Sequence, residues 1–221
     1  MEILPIGIYG PYPAAGGATS CYLVRGESGN VVLDLGSGAL SALMRRVDVV
    51  DVDAFLLTHL HYDHFVDALA LSYVPGRHVV YAPATPVERA GLLKNSKLDL
   101  RVIGEGASLT VAGMTLDLLR TRHGAECYAV RVTERGKSFV YTSDTLPFEK
   151  LAEFCKGAEL VIADCASAAG TPHMTPADGA ALAKASGVRV IATHIPPSAR
   201  GSRALAKAGV ERIAAGVPIV I

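Results

Sequence analysis

The stretch His59-Leu60-His61-Tyr62-Asp63-His64 restricts the folds open to this chain more than any other feature of its sequence. Three of the seven histidines, together with an aspartate, fall within six residues. The run follows an apolar segment, Ala54–Thr58, that reads as a buried strand. It overlaps the start of Asp63–Tyr73, where Phe65, Ala68, Leu69 and Ser72 share a helical stripe. Side chains alternate along an extended segment, so His59 and His61 point the same way. Asp63 and His64 come where the chain turns into the helix, which lets them face back into the same space. Two imidazoles are thereby offered to one cation, and a carboxylate with an imidazole to a neighbour. Zinc takes such nitrogen and oxygen donors at about 2.0–2.2 Å. A lone histidine at a strand end is ordinarily a surface residue. Several buried together without a ligand would lose hydration with no compensating partner, so a metal site is the expected use of this run.

The remaining composition suits one domain spanning residues 1–221. Half the residues are hydrophobic and 19% are charged, which excludes global disorder. Formal net charge is zero, so bulk electrostatic binding to nucleic acid is not expected, although a local basic rim is compatible. The N-terminal residues show no basic segment leading into an apolar run, and no stretch approaches the roughly 18 apolar residues of a membrane span. A cytoplasmic location and no membrane contact are expected. Cys21, Cys127, Cys155 and Cys165 form no CxxC pair and read as small buried hydrophobes, with a disulfide expected only in an unusual source such as a hyperthermophile.

Strands are expected at Ile3–Tyr9, Cys21–Arg25, Val31–Leu35 and Val79–Ala82, with helices at Ala39–Arg46 and Thr85–Leu93. From Leu100 to Tyr141 the texture is of short strands separated by glycine turns. Helices follow at Phe148–Lys156, Pro176–Ser186 and near Arg200–Ala208, with strands Leu160–Asp164 and Val188–Thr193 between them. Thr175 can cap the helix that Pro176 begins. Two halves, each of strands followed by helices, imply two sheets packed face to face with helices outside.

The His59–His64 run resembles the signature of the metallo-β-lactamase fold superfamily, and further pieces occur in the family's order. Asp34, in Leu33-Asp34-Leu35-Gly36-Ser37-Gly38, matches an aspartate that props the metal-binding loop. His123 in Arg122-His123-Gly124, Asp144 in Tyr141-Thr142-Ser143-Asp144-Thr145 and His194 in Ala192-Thr193-His194-Ile195 match the remaining ligand positions. The resemblance implies an α/β fold, a four-layered αββα sandwich of two mixed sheets flanked by helices. It implies two divalent ions, zinc being expected and manganese or iron fitting the same donors. His59, His61 and His123 would hold one ion, Asp63, His64 and His194 the other, and Asp144 would bridge them. Two ions roughly 3.5–4 Å apart share a water and lower its pKa toward neutrality, giving a bridging hydroxide as nucleophile.

An aspartate at position 63 and a separate Asp144 depart from the lactamases that use a cysteine ligand. Thioester, ester and lactone hydrolases remain, as do the ribonuclease Z-like phosphodiesterases. The opening Gly-Pro-Tyr-Pro-Ala-Ala-Gly-Gly-Ala-Thr-Ser and Pro172-His173-Met174-Thr175 resemble the second group, the latter its GHST-type motif, whose histidine lies near the scissile phosphate. His173 is therefore expected to stabilise the transition state or protonate the leaving oxygen, and Asp63 to accept a proton from water. The chain departs from ribonuclease Z at Asp164-Cys165-Ala166-Ser167, where that family has His-Glu-Ala-Thr. Whether Asp164 replaces the missing glutamate is left open. It also lacks the long tRNA-gripping arm, since only a hairpin's length separates His123 from Asp144. Stable tRNA binding and tRNA 3′ processing are thus disfavoured, and a small phosphodiester such as a cyclic nucleotide is the expected substrate. The resemblance also suggests a homodimer. Tyr62, Thr19 and Ser20 are candidates to line the site's mouth. His78 reads as structural, and Arg200 and Arg203 as solvated cations that an anionic substrate would meet.

Overall fold

Strands whose odd and even side chains are both apolar must be covered on both faces. The computed structural model, which describes residues 1–94, 97–197 and 200–221, shows this in its first sheet. Val31, Leu33, Ala54 and Leu56 face one core, while Val32, Phe55 and Leu57 face another. The first half contributes β1 (Glu2–Gly7), β2 (Cys21–Arg25), β3 (Asn30–Leu33), α1 (Ala39–Leu43), β4 (Ala54–Leu56), α2 (Tyr62–Leu71), β5 (His78–Pro83), α3 (Val87–Leu93) and β6 (Leu98–Ile103). The second contributes β7 (Ser108–Val111), β8 (Met114–Arg120), β9 (Tyr128–Glu134), β10 (Lys137–Tyr141), α4 (Glu149–Cys155), β11 (Leu160–Asp164), α5 (Pro176–Ser186), β12 (Val190–Thr193), α6 (Arg200–Ala208), β13 (Glu211–Arg212) and β14 (Ile219–Val220).

One sheet has the order β14-β1-β2-β3-β4-β5-β6 and the other β13-β12-β11-β10-β9-β8-β7. Each is mixed: β3 to β6 run parallel in the first, and β10 to β13 in the second. The inner faces meet in one core, where Tyr22 of β2 and Tyr141 of β10 pack with ring centroids 4.7 Å apart. Leu151 and Cys155 of α4, Leu182 of α5 and Leu205 of α6 pack on the outer side of the second sheet as part of the same cluster. The second cluster lies between the first sheet and Leu40, Leu43, Phe65, Ala68, Leu71 and Leu93 of α1 to α3. The result is the expected αββα sandwich, each fully buried large apolar side chain contributing about 1.5–3 kcal/mol.

Local signals place most boundaries. Thr175 and Asp178 form a reciprocal capping box at the start of α5, Pro176 occupies its first turn, and Gly187 closes it at φ 72°. That left-handed closure delays β12 to Val190, two residues after the expected start. Among the described residues no helix is long and apolar enough to cross a membrane. All four cysteines are buried and free.

Candidate metal centre

The site is assembled where strands end. Asp34 follows β3, His59 follows β4, Asp144 follows β10, Asp164 ends β11 and His194 follows β12. Three residues at these strand ends, Asp34 (φ 59°), Ser143 (φ 50°) and His194 (φ 55°), take the left-handed backbone region that non-glycine residues rarely adopt. Such strain is held where surrounding structure over-determines it, commonly at functional sites.

His59, His61, His123 and Asp144 each bring a ligand atom within 4.8 Å of the others. His61 Nδ1 and His123 Nε2 lie 3.1 Å apart, and Asp144 Oδ2 is 3.5 Å from His59 Nε2 and 3.8 Å from His123 Nε2. A second group is Asp63, His64 and His194. There His194 Nε2 meets Asp63 Oδ2 at 3.0 Å, and Asp144 Oδ1 stands 3.3 Å from His64 Nε2 and 3.6 Å from His194 Nε2. Asp144 thus turns one oxygen to each group, the placement a bridging carboxylate needs.

His59 Nε2 and Asp144 Oδ1 are buried with no hydrogen-bond partner. Leaving buried polar atoms unpaired costs about 1–3 kcal/mol each, and a cation in each donor group removes that cost. The donor set, imidazoles with a few carboxylates, is also one that borderline divalent ions accept. The residues present fit a metal centre.

The charges fit as well. Burial and the neighbouring His64 push His59 down to about 4, and burial with His59 pushes His61 down to about 4. These imidazoles are neutral and have lone pairs to give. On the other side of Asp144 the carboxylates dominate. Burial opposes charge on His194, but Asp144 and Asp164 outweigh it and raise the imidazole to about 9. Burial likewise opposes charge on His64, and Asp144, Asp34 and Asp63 lift it well above its ordinary value. Burial raises Asp63, yet His64 and His194 prevail and bring it to about 2. This side demands positive charge, which a divalent cation supplies while freeing the imidazoles to coordinate.

Asp34 braces the run from below. It is fully buried and accepts from Thr58 N at 2.7 Å, Thr58 Oγ1 at 2.9 Å, His64 Nδ1 at 2.7 Å and Tyr141 Oη at 2.9 Å. This is the propping role expected of it, and it fixes His64 with Nε2 toward the donors. Sequence reading missed Thr58, Tyr141 and Ser143, whose hydroxyl meets Thr58 Oγ1 at 2.7 Å. Their only signal was a polar group closing an apolar strand.

His173 stands beside both groups. Its Nδ1 is 2.7 Å from Asp164 Oδ2, and its ring stacks on His194 with centroids 4.9 Å apart. Asp164 therefore makes the contact that the sequence had left open. The mouth needs correction. Thr19 and Ser20 have no exposed surface and line nothing open to solvent; Ser20 Oγ instead approaches His64 Nε2 at 3.4 Å. Tyr62 is exposed, stacked on Phe65 beneath the Arg89 guanidinium. His78 is buried edge-on to Phe55, away from the cluster. Arg203 is exposed, and the Arg200 side chain lies outside the described residues.

The sequence model of the metallo-beta-lactamase superfamily matches residues 14–202. The chain belongs to this superfamily. Probable metallo-hydrolase YhfI of Bacillus subtilis is 31% identical over 218 residues, covering 89% of this chain and 87% of YhfI. The crystal structure of YhfI superposes with a TM-score of 0.91 at 27% identity over 99% of each chain. Human tRNase Z, short form, superposes at 0.79 with 18% identity, over 100% of this chain and 99% of the other. A diphosphatase of the PhnP family superposes at 0.74 with 17% identity, over 99% and 96%. The last two likenesses speak to the fold. Family membership and the His/Asp cluster make the chain a metal-dependent hydrolase of the metallo-beta-lactamase superfamily.

Proposed function

We propose that this superfamily member is a dinuclear phosphodiesterase acting on cyclic nucleotides or short nucleic-acid-derived phosphodiesters, with zinc as its metal. The observation that carries the reading is His173, held by Asp164 and stacked on His194 within reach of both donor groups. A thioester centre, whose thiolate leaves without a proton, has little need of a further acid so placed. His59, His61 and His123 would hold one ion, Asp63, His64 and His194 the second, and Asp144 would serve both. When bound, such a pair supplies Lewis acidity toward the phosphoryl oxygens and acidifies water.

The chain's own residues do the rest. Asp63 accepts the proton of the attacking water. His173, its Nδ1 engaged by Asp164, presents Nε2 to the leaving oxygen and donates a proton there. A cavity of about 480 Å³ opens beside His173 and His194, walled by Pro11, Ala166, Ala168, Pro172 and Ala204. Its size falls in the range of about 300–1,000 Å³ typical of small-ligand pockets, and small uncharged walls suit one neutral organic substituent. The interval between His123 and Asp144 is filled by the β9–β10 hairpin, which supports a small substrate over a gripped tRNA.

Metal-loaded protein is expected to hydrolyse bis-p-nitrophenyl phosphate, and His173→Ala to lower kcat on a cyclic nucleotide about 10²–10⁴-fold at unchanged metal content. Full metal loading without activity on any phosphodiester would sink the reading. Turnover of acyl-glutathione or lactones that is indifferent to His173→Ala would put a thioester or lactone hydrolase in its place.

A further inference from the structure

We propose that Asp164 is a positioning residue shared by both halves of the site, fixing the metal-facing side of His194 and the substrate-facing side of His173 with one carboxylate. The His173 half rests on the phosphodiesterase reading above.

The fold brings these three residues together by register. In the parallel β11–β12 pair Asp164 lies opposite Thr193, so His194 leaves its strand one step beyond the carboxylate. Asp164 is buried, and its Oδ2 contacts His173 Nδ1 at 2.7 Å and accepts from the Thr145 amide at 3.3 Å. Its other oxygen, Oδ1, lies 3.5 Å from His194 Nδ1. Both of those atoms are buried and have no other hydrogen-bond partner, so a small approach would satisfy each with the other. The two imidazoles are stacked 17° from parallel, which presents both Nδ1 edges to the same carboxylate.

Each Nδ1 is turned to Asp164, which leaves Nε2 as each ring's other nitrogen. That of His194 points at Asp63, 3.0 Å away, and Asp144, 3.6 Å away. A ligating histidine whose other nitrogen donates to a carboxylate is fixed in tautomer and orientation, and losing that partner costs about 10–100-fold in metal affinity or activity. Cys165 does not share this task, because it packs against α5, where a Cβ on Gly179 would sit 2.7 Å from its Sγ. An asparagine at 164 keeps one acceptor and gains a donor, so it serves one histidine at the expense of the other.

The test uses the full chain loaded with zinc. Long-range nitrogen–proton NMR correlations of the wild-type protein are expected to show His194 with its proton on Nδ1, and an Nε2–H tautomer there overturns the proposal without any variant. Asp164→Asn is expected to weaken zinc binding about 10–100-fold in competition with a chromophoric chelator. At saturating zinc it lowers kcat about 10²–10⁴-fold on a phosphodiester with an alkoxide leaving group, and less on a p-nitrophenyl ester, whose leaving group needs no proton. His173→Ala reproduces the kcat pattern at wild-type zinc affinity. Wild-type zinc affinity in Asp164→Asn, or an equal loss on both esters, refutes the shared role. If the wild type cleaves no phosphodiester, the phosphodiesterase reading fails, while the tautomer and zinc affinity still decide the His194 half.

Discussion

Asp34→Asn changes almost no volume at a residue with no exposed surface, so its effect comes from charge and hydrogen-bond polarity rather than packing. One oxygen of Asp34 takes Thr58 N, and the other takes His64 Nδ1 and Tyr141 Oη. An amide nitrogen facing the Thr58 N–H meets a donor that cannot change its role. Turned the other way, it faces His64, which can move its proton from Nδ1 to Nε2 and accept instead. That removes the lone pair directed at Asp63 and Asp144. Hydrogen bonds to a charged group contribute about 1.5–3 kcal/mol each, and the two on this oxygen are weakened rather than abolished, so roughly 3 kcal/mol of stability is lost. For a chain of this length each kcal/mol shifts Tm by about 2–4 °C, giving a drop of roughly 6–12 °C. Zinc affinity is expected to fall about 10–100-fold for one equivalent and little for the other. Thermal melts of metal-free protein and chelator-competition titrations measure the two effects. Tyr141→Phe is the control, losing about 1.5–3 kcal/mol while His64 keeps its tautomer and zinc stoichiometry is unchanged. Two wild-type zinc affinities in Asp34→Asn would refute the tautomer argument.

Three further outcomes are expected. A Cβ on Gly10 would sit 2.1 Å from His194 Nε2, so Gly10→Ala displaces that imidazole and lowers bound zinc in atomic absorption at near-wild-type Tm; full zinc retention would contradict it. Phe55→Ala empties a fully buried site under α2 and is expected to cost about 3–5 kcal/mol in denaturant unfolding, with zinc per folded molecule unchanged. The carboxylates Asp144 and Asp164 overcome burial to raise His194 to about 9 in the metal-free chain, so this imidazole is protonated at neutral pH and must release its proton to bind a cation. Apparent zinc affinity therefore rises with pH up to about 9, and calorimetry in buffers of different ionisation enthalpy should register proton release; a pH-independent affinity in the neutral range would contradict it.

Features encoded within a turn or a strand were legible directly. The spacing of His59, His61, Asp63 and His64 announces convergent donors because alternation and a helix start act over a few residues. Thr175, Pro176 and Asp178 announce α5 for the same reason. Uninterrupted apolar runs in β3 and β4 were enough to call for cover on both faces. The ordered positions of His123, Asp144 and His194 could be matched by family resemblance, but not placed by local rules.

Tertiary structure alone decided what meets across the layers. Tyr141 reaches Asp34 across 107 residues of sequence, and Asp63 reaches His194 across 131. Those contacts depend on how two sheets stack and on the register of parallel strands, which no local periodicity records. The same register put the carboxylate of Asp164, rather than the thiol of Cys165, against His173, since consecutive strand residues point to opposite faces. Tertiary packing also buried Thr19 and Ser20 instead of leaving them at the mouth of the site. The His59–His64 run therefore called for a metal from its own spacing, while the packing of the second sheet against the first determined which groups complete, brace and orient the centre.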